Sequence, residues 1–160
     1  MQLSYDSDTP VGVEGQKIES YESAAVTGTA EAGAIPVGKL VVTDITAGRS
    51  DKAVRSPTSS GDITGPAVVG VTQWDPTYPE PPYRQFALFP VLRKGRILLK
   101  SEDAVAKGTR PFVRFASGAG GNVLGSIRSD ADGATAEAAP YLTVITTAPA
   151  GGLCVVEVNL

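Results

Sequence analysis

The residues best able to do chemistry in this 160-residue chain are two close carboxylate pairs. Glu19 lies three positions from Glu22, and Glu102 is followed directly by Asp103. A glycoside hydrolase uses two carboxyl groups as general acid and as nucleophile or base. Most such pairs are solvated surface groups, and nothing in the spacing brings either pair to a cleft. We therefore expect no catalytic carboxylates.

A third acidic segment is similar to part of a calcium loop. Asp130 and Asp132 precede Gly133, and Glu137 follows. Clustered carboxylates supply the oxygen ligands that Ca²⁺ prefers. Ala134 stands where the next ligand would be needed, and Glu137 comes too early. An Asp–Gly turn accounts for the segment, so we expect no metal here.

Other catalytic and cofactor chemistry is limited by residue type. The chain contains no histidine and one cysteine, which excludes a Ser-His-Asp set, a four-ligand Cys/His zinc site and an internal disulfide. Cys154 lies in an apolar run and is expected to be buried. The glycine-rich segment 117–122 lacks the Gly-Lys-Ser/Thr of a phosphate-binding loop, which predicts a flexible loop. We expect neither an enzyme nor a bound cofactor.

Charge and hydropathy argue against nucleic acid and membrane as partners. The formal net charge is −3, and the densest basic run, residues 93–96 with Lys100, lies beside an apolar strand pattern, which predicts a solvated turn. No window approaches the roughly 20 apolar residues that cross a bilayer. The first residues lack a basic start and an apolar run, so we expect a soluble protein made in a cytoplasm.

The segment 73–84 is the strongest candidate for binding a partner. It contains Trp74, Tyr78 and Tyr83 together with four prolines, at 76, 79, 81 and 82. Proline stiffens the loop, so little entropy is lost on binding, and stiff aromatic side chains are typical of interface hot spots. The alternative is that Trp74 and a tyrosine cap the end of a β-barrel.

The elements that position these residues are predicted to be strands. Residues 1–30 form an extended, polar N-terminal arm, and residues 31–160 form one all-β domain, a compact sandwich or small jelly-roll-like barrel. Within the domain we expect a hairpin turning at 93–96, a bulge or close backbone approach at Gly70, a mobile loop at 49–65 and a short helix at 101–107. The predicted strands are residues 37–43, 67–72, 86–92, 97–100, 111–115, 141–147 and 153–158.

The order of these segments resembles the structural cement, or capsid decoration, proteins of tailed bacteriophages. The matching features are residues 15–20, 34–41, 65–71 and 148–156 and the turns Lys94-Gly95 and Lys107-Gly108. The resemblance implies a non-enzymatic virion protein on the outer capsid surface, bridging neighbouring major capsid protein subunits and stabilising the shell. It also implies self-association, with a homotrimer favoured and a dimer as the alternative.

The expected partner-binding side chains come from the N-terminal arm and from segment 73–84, which we call the aromatic loop. They are Leu3, Tyr5, Ile18, Tyr21, Trp74, Tyr78 and Tyr83. A different interpretation of the same loop is a carbohydrate-binding β-module, or a fibre or adhesin domain, that stacks sugars on Trp74, Tyr78 and Tyr83. A glycan array or a tryptophan fluorescence titration separates the two hypotheses, because a cement protein gives no response to sugars.

Overall fold

The computed structural model describes residues 12–18, 22–78, 81–116 and 122–160. Within these ranges the chain forms eleven strands and one short helix, which confirms the all-β class expected from the sequence. The elements are β1 Lys17–Ile18, β2 Ala24–Thr29, β3 Leu40–Thr43, β4 Val54–Arg55, α1 Ser60–Thr64, β5 Val68–Thr72, β6 Leu88–Lys100, β7 Phe112–Arg114, β8 Ile127–Arg128, β9 Ala136–Ala138, β10 Leu142–Val144 and β11 Leu153–Asn159.

The longest strand, β6, is the centre of an eight-stranded antiparallel sheet. One edge of β6 pairs with β5 and β11, and the other pairs with β1 and β2. Leu92 shows both edges in use, because it lies opposite Ala25 of β2 and opposite Val71 of β5. Beyond β5 the sheet continues through β3 to β4, and β10 lies outside β11.

The main sheet curls into a half-barrel and carries an apolar core on each face. Side-chain alternation along a strand explains this division, since Leu40 and Val42 belong to one core and Val41 belongs to the other. The smaller core lies inside the curl and contains Ala30, Ile35, Val37, Val41, Val54, Tyr83, Phe89 and Val91. The larger core lies between the sheet, α1 and the second sheet, in which β7 is flanked by β8 and β9.

Strand β6 replaces the predicted hairpin at 93–96. The chain runs straight through Gly95, and β11 pairs with every residue from Lys94 to Lys100. A Lys-Gly dipeptide between apolar runs is typical of a turn, but a glycine with φ 129° also fits a sheet when a neighbour approaches closely. Here the Ser23 Cβ lies only 3.0 Å from the position that a Gly95 Cβ would occupy.

Two further predictions were wrong. Residues 101–107 form isolated bridges and turns and no helix. The Ser101 backbone bonds to Gly151 and Gly152, the Glu102 amide donates to the Ile127 carbonyl, and the Val105 backbone bonds in both directions to Ala148. The loop predicted at 49–65 contains β4 and α1. A capping box between Ser59 and Asp62 begins this helix, and its Ile63 is fully buried.

The described part of the predicted N-terminal arm is extended but lies on the domain. Residues 17–18 and 24–29 pair with β6, and residues 12–16 cover the side of Leu98. The β structure therefore begins before residue 31, where the sequence placed the domain boundary. Residues 1–11 and 19–21 of the predicted arm lie outside the described residues. The attachment of the described part to β6 depends on long-range pairing that local sequence does not encode.

The close backbone approach predicted at Gly70 is confirmed. Gly70 has φ 153°, and a Cβ there would lie 2.2 Å from the carbonyl oxygen of Leu92. The register between β3 and β5 shifts beside it, between Val41 and Val42.

Within the described residues, no helix has the length and hydropathy needed to span a membrane.

Candidate functional site

A concave groove of about 680 Å³ lies beside Trp74. We call it the Trp74 groove. Its exposed apolar walls are Val13, Trp74 and Val123, which are 45%, 39% and 41% exposed. The remaining walls combine charged, proline and small or polar residues: Glu14, Lys39, Lys100, Glu102, Pro36, Pro81, Pro82, Val37, Ser101, Asn122, Ser126 and Gly151. Large apolar side chains grouped in one concavity are typical of a docking surface.

The segment before β1 forms one wall of this groove. The Gly15 amide donates to the Leu98 carbonyl at 2.7 Å, and the Gly15 carbonyl accepts from the Trp74 amide at 2.8 Å. Gly15 has φ +81°, and a Cβ there would lie 2.2 Å from Val37 Cγ1. Only glycine therefore fits between β6 and the aromatic loop.

An ion pair between Lys39 and Glu14 stabilises the same wall of the groove. The Lys39 ammonium group donates to Glu14 Oε1, and the Lys39 side chain is only 8% exposed. The same Glu14 oxygen accepts from the Lys100 amide at 3.3 Å. Glu14 and Lys39 are thus paired with each other, and the exposed Lys100 adds a further positive charge to the groove lining.

Tyr83 lies in the core, which differs from its expected place at a partner interface. It is 1% exposed, stacks on Phe89 with ring centroids 4.5 Å apart, and donates its hydroxyl proton to the Gln73 carbonyl. Burial raises the pKa of this hydroxyl to about 12. Tyr83 fits the alternative interpretation of the loop, in which a tyrosine caps the end of the barrel. Its hydrogen bond to Gln73 and its stacking on Phe89 anchor the loop to the core.

The other predicted binding residues are dispersed. Tyr78 is half-buried against Tyr83, and its hydroxyl accepts from the Arg84 amide at 2.8 Å. Ile18 is half-buried in β1 opposite Arg96. Leu3, Tyr5 and Tyr21 lie outside the described residues. Among the predicted binding residues that the structure describes, Trp74 is therefore the exposed aromatic side chain, and the three loop aromatics do not form a common sugar-stacking face. Phe86, just beyond the loop, is 69% exposed.

Of the carboxylates considered for catalysis, Glu102 and Asp103 belong to an ion-pair network around Arg114 and Arg128. Arg114 is fully buried and donates to both oxygens of Glu102 at 2.8–2.9 Å and to Asp132 at 2.7 Å. The two carboxylates raise the pKa of Arg114, and Arg114 in turn lowers the pKa of Asp132. The network ties β7 to the end of β6 and to the 130–135 turn.

Arg128 extends this network across the turn that was compared with a calcium loop. It pairs with Asp103 at 3.5 Å, Asp130 at 2.7 Å and Asp132 at 2.9 Å. Asp130 also accepts from the Asp132 amide, and Gly133 has φ +62°, so the segment is an Asp–Gly turn as expected. Among the described residues no group of three or more His, Cys, Asp or Glu is arranged to hold a metal ion.

The remaining chemically reactive candidates are structural or outside the described ranges. Cys154 is fully buried, as expected, and burial raises the pKa of its thiol to about 12. Glu22 is exposed and pairs with Lys94, while Glu19 lies outside the described residues. The glycine-rich loop at 117–122 also lies outside them except for Asn122.

Sequence reasoning missed two features of this region. Arg114 alternates with apolar neighbours in β7, which predicts a solvent-facing side chain. Its carboxylate partners Glu102 and Asp132 lie 12 and 18 residues away in sequence, so no local signal identified it as buried. Val13 and Val123 were missed because each is an isolated apolar residue in a polar segment. Their grouping with Trp74 arises only when three distant loops meet.

Comparison with known proteins identifies the family. Residues 1–159 match the family model described as "Structural cement protein (E217 gp24/Pam3 gp6)", a phage cement family. The chain belongs to this family of phage structural cement proteins. The resemblance seen in the order of the strands is thereby confirmed, and the cement role places the chain among virion structural proteins. The carbohydrate-binding alternative is not favoured.

A solved structure supports the fold of this cement protein. A chain from "The capsid of Myoviridae Phage XM1" superposes with a TM-score of 0.65 at 14% sequence identity. The match covers 99% of this chain and 94% of that chain. No curated protein sequence matches the chain.

Proposed function

We propose that this cement protein binds the outer surface of a phage capsid and bridges neighbouring major capsid protein subunits, without catalysing a reaction. The observation that carries the proposal is membership of the structural cement family along nearly the whole chain. The chemistry is consistent with it, because Glu102 and Asp132 are held by Arg114 and the Cys154 thiol is buried and protonated near neutral pH.

The Trp74 groove is the surface that we propose contacts the capsid. Its walls are apolar at Trp74, Val13 and Val123, and apolar side chains gain free energy when a partner removes them from water. The walls are also stiff, since Tyr83 and the Gly15 backbone fix the loop on both sides. A preformed groove loses little conformational entropy when an apolar segment of the capsid protein enters it.

Bridging explains how such a small protein stabilises a large shell. Packaged DNA presses outward, and a shell fails where capsomers separate. When one copy binds two neighbouring subunits, the second contact forms at high effective concentration, so contacts of modest strength combine into a strong tie. Self-association multiplies the effect, because an oligomer holds several contacts at once.

Heating decorated and undecorated capsids tests the bridging role. We expect purified protein, added to capsids that lack it, to raise the temperature at which DNA is released, measured with a DNA-binding dye that does not enter intact shells. A Trp74→Ala variant at the same concentration serves as the matched control and should protect less. Binding at full occupancy with no change in the release temperature would show a decoration that does not bridge.

A further inference from the structure

The charged side chains of the Trp74 groove differ in whether they already have a partner. Those that line the groove are Glu14, Lys39, Lys100 and Glu102. Glu14 forms an ion pair with Lys39, whose side chain is only 8% exposed. Glu102 pairs with Arg114 at 2.8 Å and with Arg128 at 3.2 Å. Both carboxylates of the lining are therefore bound to cations of the protein itself.

Lys100 is the charged side chain of the lining that lacks a counterion. It is exposed at the last position of β6, and its backbone amide donates to Glu14 Oε1 at 3.3 Å. Among the described residues, no carboxylate forms an ion pair with its ammonium group. An ammonium group carries three donors and no acceptor. The groove therefore offers a positive charge to whatever binds in it.

The indole N–H of Trp74 is a second available donor in the same lining. An indole nitrogen donates and does not accept, and in the part of the chain that the structure describes no acceptor is bonded to it. The Ser101 hydroxyl differs, because it donates to the Ile127 carbonyl at 3.5 Å. Lys100 and Trp74 both call for acceptor oxygens on the partner, and the charge of Lys100 favours a carboxylate.

The other acids near the groove limit how much negative charge the partner can carry. Asp103, Asp130 and Asp132 lie outside the groove lining, and each pairs with Arg128. With the two glutamates of the lining they make five carboxylates, against four cations in the groove and the network. This balance disfavours a polyanion such as DNA. A single carboxylate that contacts Lys100 directly is favoured by the short-range interaction, since more distant charges are screened over about 8 Å.

We propose that the Trp74 groove binds a segment of the major capsid protein in which one aspartate or glutamate is flanked by apolar side chains. The carboxylate accepts from the Lys100 ammonium group, and the apolar neighbours pack on Val13, Trp74 and Val123, which are all partly exposed. The inference rests on the proposed function, in which this groove contacts the capsid. It adds the chemistry of the segment that the groove recognises.

Replacing Lys100 tests the contact by affinity. For Lys100→Gln we expect capsid binding to weaken about ten-fold, the loss typical of a hydrogen bond to a charged group. Lys107→Gln is the matched control, because Lys107 is also exposed but lies outside the groove, and it should bind like the natural chain. Titration of labelled protein onto undecorated capsids measures both, after circular dichroism has shown that each variant is folded.

Salt and charge reversal test whether the contact is electrostatic. Raising the sodium chloride concentration should weaken the natural chain more than Lys100→Gln, because salt screens the contact that the variant has lost. Lys100→Glu should bind more weakly than Lys100→Gln, since it brings two like charges together. Equal affinities of the two variants, with the same salt dependence as the natural chain, would exclude a carboxylate beside Lys100.

Zero-length cross-linking identifies the partner group. A carbodiimide condenses an amine and a carboxylate into an amide without a spacer, so it joins only groups that are in contact. On decorated capsids, we expect mass spectrometry to find Lys100 joined to one aspartate or glutamate of the major capsid protein, within an apolar stretch. Lys107 should give no such product. Cross-links formed equally from Lys107, or none from Lys100 at saturation, would contradict the inference.

The results separate this inference from the proposed function. If Lys100→Gln binds like the natural chain while Trp74→Ala binds weakly, the groove is still the capsid contact and the acidic segment is wrong. If the natural chain does not bind capsids at all, the proposed function itself fails. A labelled DNA duplex that binds the natural chain but not Lys100→Gln would replace the carboxylate by a phosphate and overturn the inference.

Discussion

The amide of Trp74 donates a 2.8 Å hydrogen bond to the carbonyl of Gly15, which joins the most exposed aromatic side chain of the loop to the N-terminal segment. The amide of Gly15 in turn donates to Leu98 in the central strand. The groove wall is therefore built on the most extensively paired strand of the sheet. We therefore expect a substitution at Gly15 to alter the position of Trp74 through this hydrogen bond.

Replacing Gly15 with alanine tests this connection. The new Cβ would lie 2.2 Å from Val37 Cγ1 and 2.9 Å from the Trp74 nitrogen, at a φ of +81°. We expect a loss of roughly 3 kcal/mol in the free energy of unfolding, from left-handed strain together with the steric clash. Gly108→Ala is the control, because its φ is +84° with no atom within 4 Å. Urea denaturation measures the free energy of unfolding of both variants. Equal losses would mean that Gly15 is required for its positive φ and not for its close contacts with Val37 and Trp74.

Trp74 should contribute more to capsid binding than an equally apolar residue elsewhere. For Trp74→Ala we expect capsid affinity to fall about 30-fold, the loss typical of a hot-spot aromatic. Ile45→Ala removes a more exposed apolar side chain outside the groove and should leave the affinity unchanged. Titrating labelled protein onto undecorated capsids gives both values. Similar affinities for the two variants would exclude the Trp74 groove as the contact.

The ion pairs around Arg114 should be important for stability. Arg114→Met leaves the Glu102 carboxylate, whose side chain is 11% exposed, with only Arg128 as a cationic partner. We expect a loss of about 3–5 kcal/mol in the free energy of unfolding, the usual cost of removing one member of a buried pair. Arg110→Met, at an exposed position four residues earlier, should change it by less than about 0.5 kcal/mol. Chemical denaturation that found equal effects would contradict a structural role for the network.

Asp62 should make stability depend on pH in acid. Its hydrogen bonds from Arg55, followed by backbone amides of the helix cap, lower its pKa from 3.8 to about 2. A depressed carboxyl pKa stabilises the folded state above pH 3.8, and this contribution is lost as the pH falls through 2. The difference of nearly two units corresponds to about 2 kcal/mol.

The comparison with Asp62→Asn isolates that contribution from other carboxylates with lowered pKa values. We expect the natural chain to exceed the variant in stability at pH 5 and the gap to narrow by about 2 kcal/mol at pH 2. Urea denaturation at each pH measures the gap. A gap that stayed constant between these pH values would show that the Arg55–Asp62 pair does not act through ionisation.

The sequence predicted most of the strands but not how the chain pairs them. Apolar alternation and glycine punctuation located β3, β5, β7, β10 and β11, because these signals are local. The hairpin at 93–96 was wrong since Lys-Gly fits both a turn and a strand with a close neighbour. The helix α1 was missed although Ser59 and Asp62 carry a capping-box signature, because its serine-rich surroundings are also typical of a loop.

The candidate site was predicted in part. Trp74 was selected because of the composition of its loop and is exposed in the groove, and its role in binding stays a prediction. Tyr83 was expected to bind a partner, with capping of the barrel as the alternative, because sequence does not show which side of a stiff loop faces the core. Val13 and Gly15 were not identified at all, since their importance comes from contacts with Leu98 and Trp74, which are far away in sequence.

The most direct test of the account is co-sedimentation of the purified protein with undecorated capsids. We predict saturable binding at a fixed ratio of copies to major capsid protein subunits, weakened by Trp74→Ala and unaffected by Ile45→Ala. Protein that stays in the supernatant at all concentrations, or that pellets without saturation and regardless of Trp74, would contradict the assignment of this chain as the cement of a capsid surface.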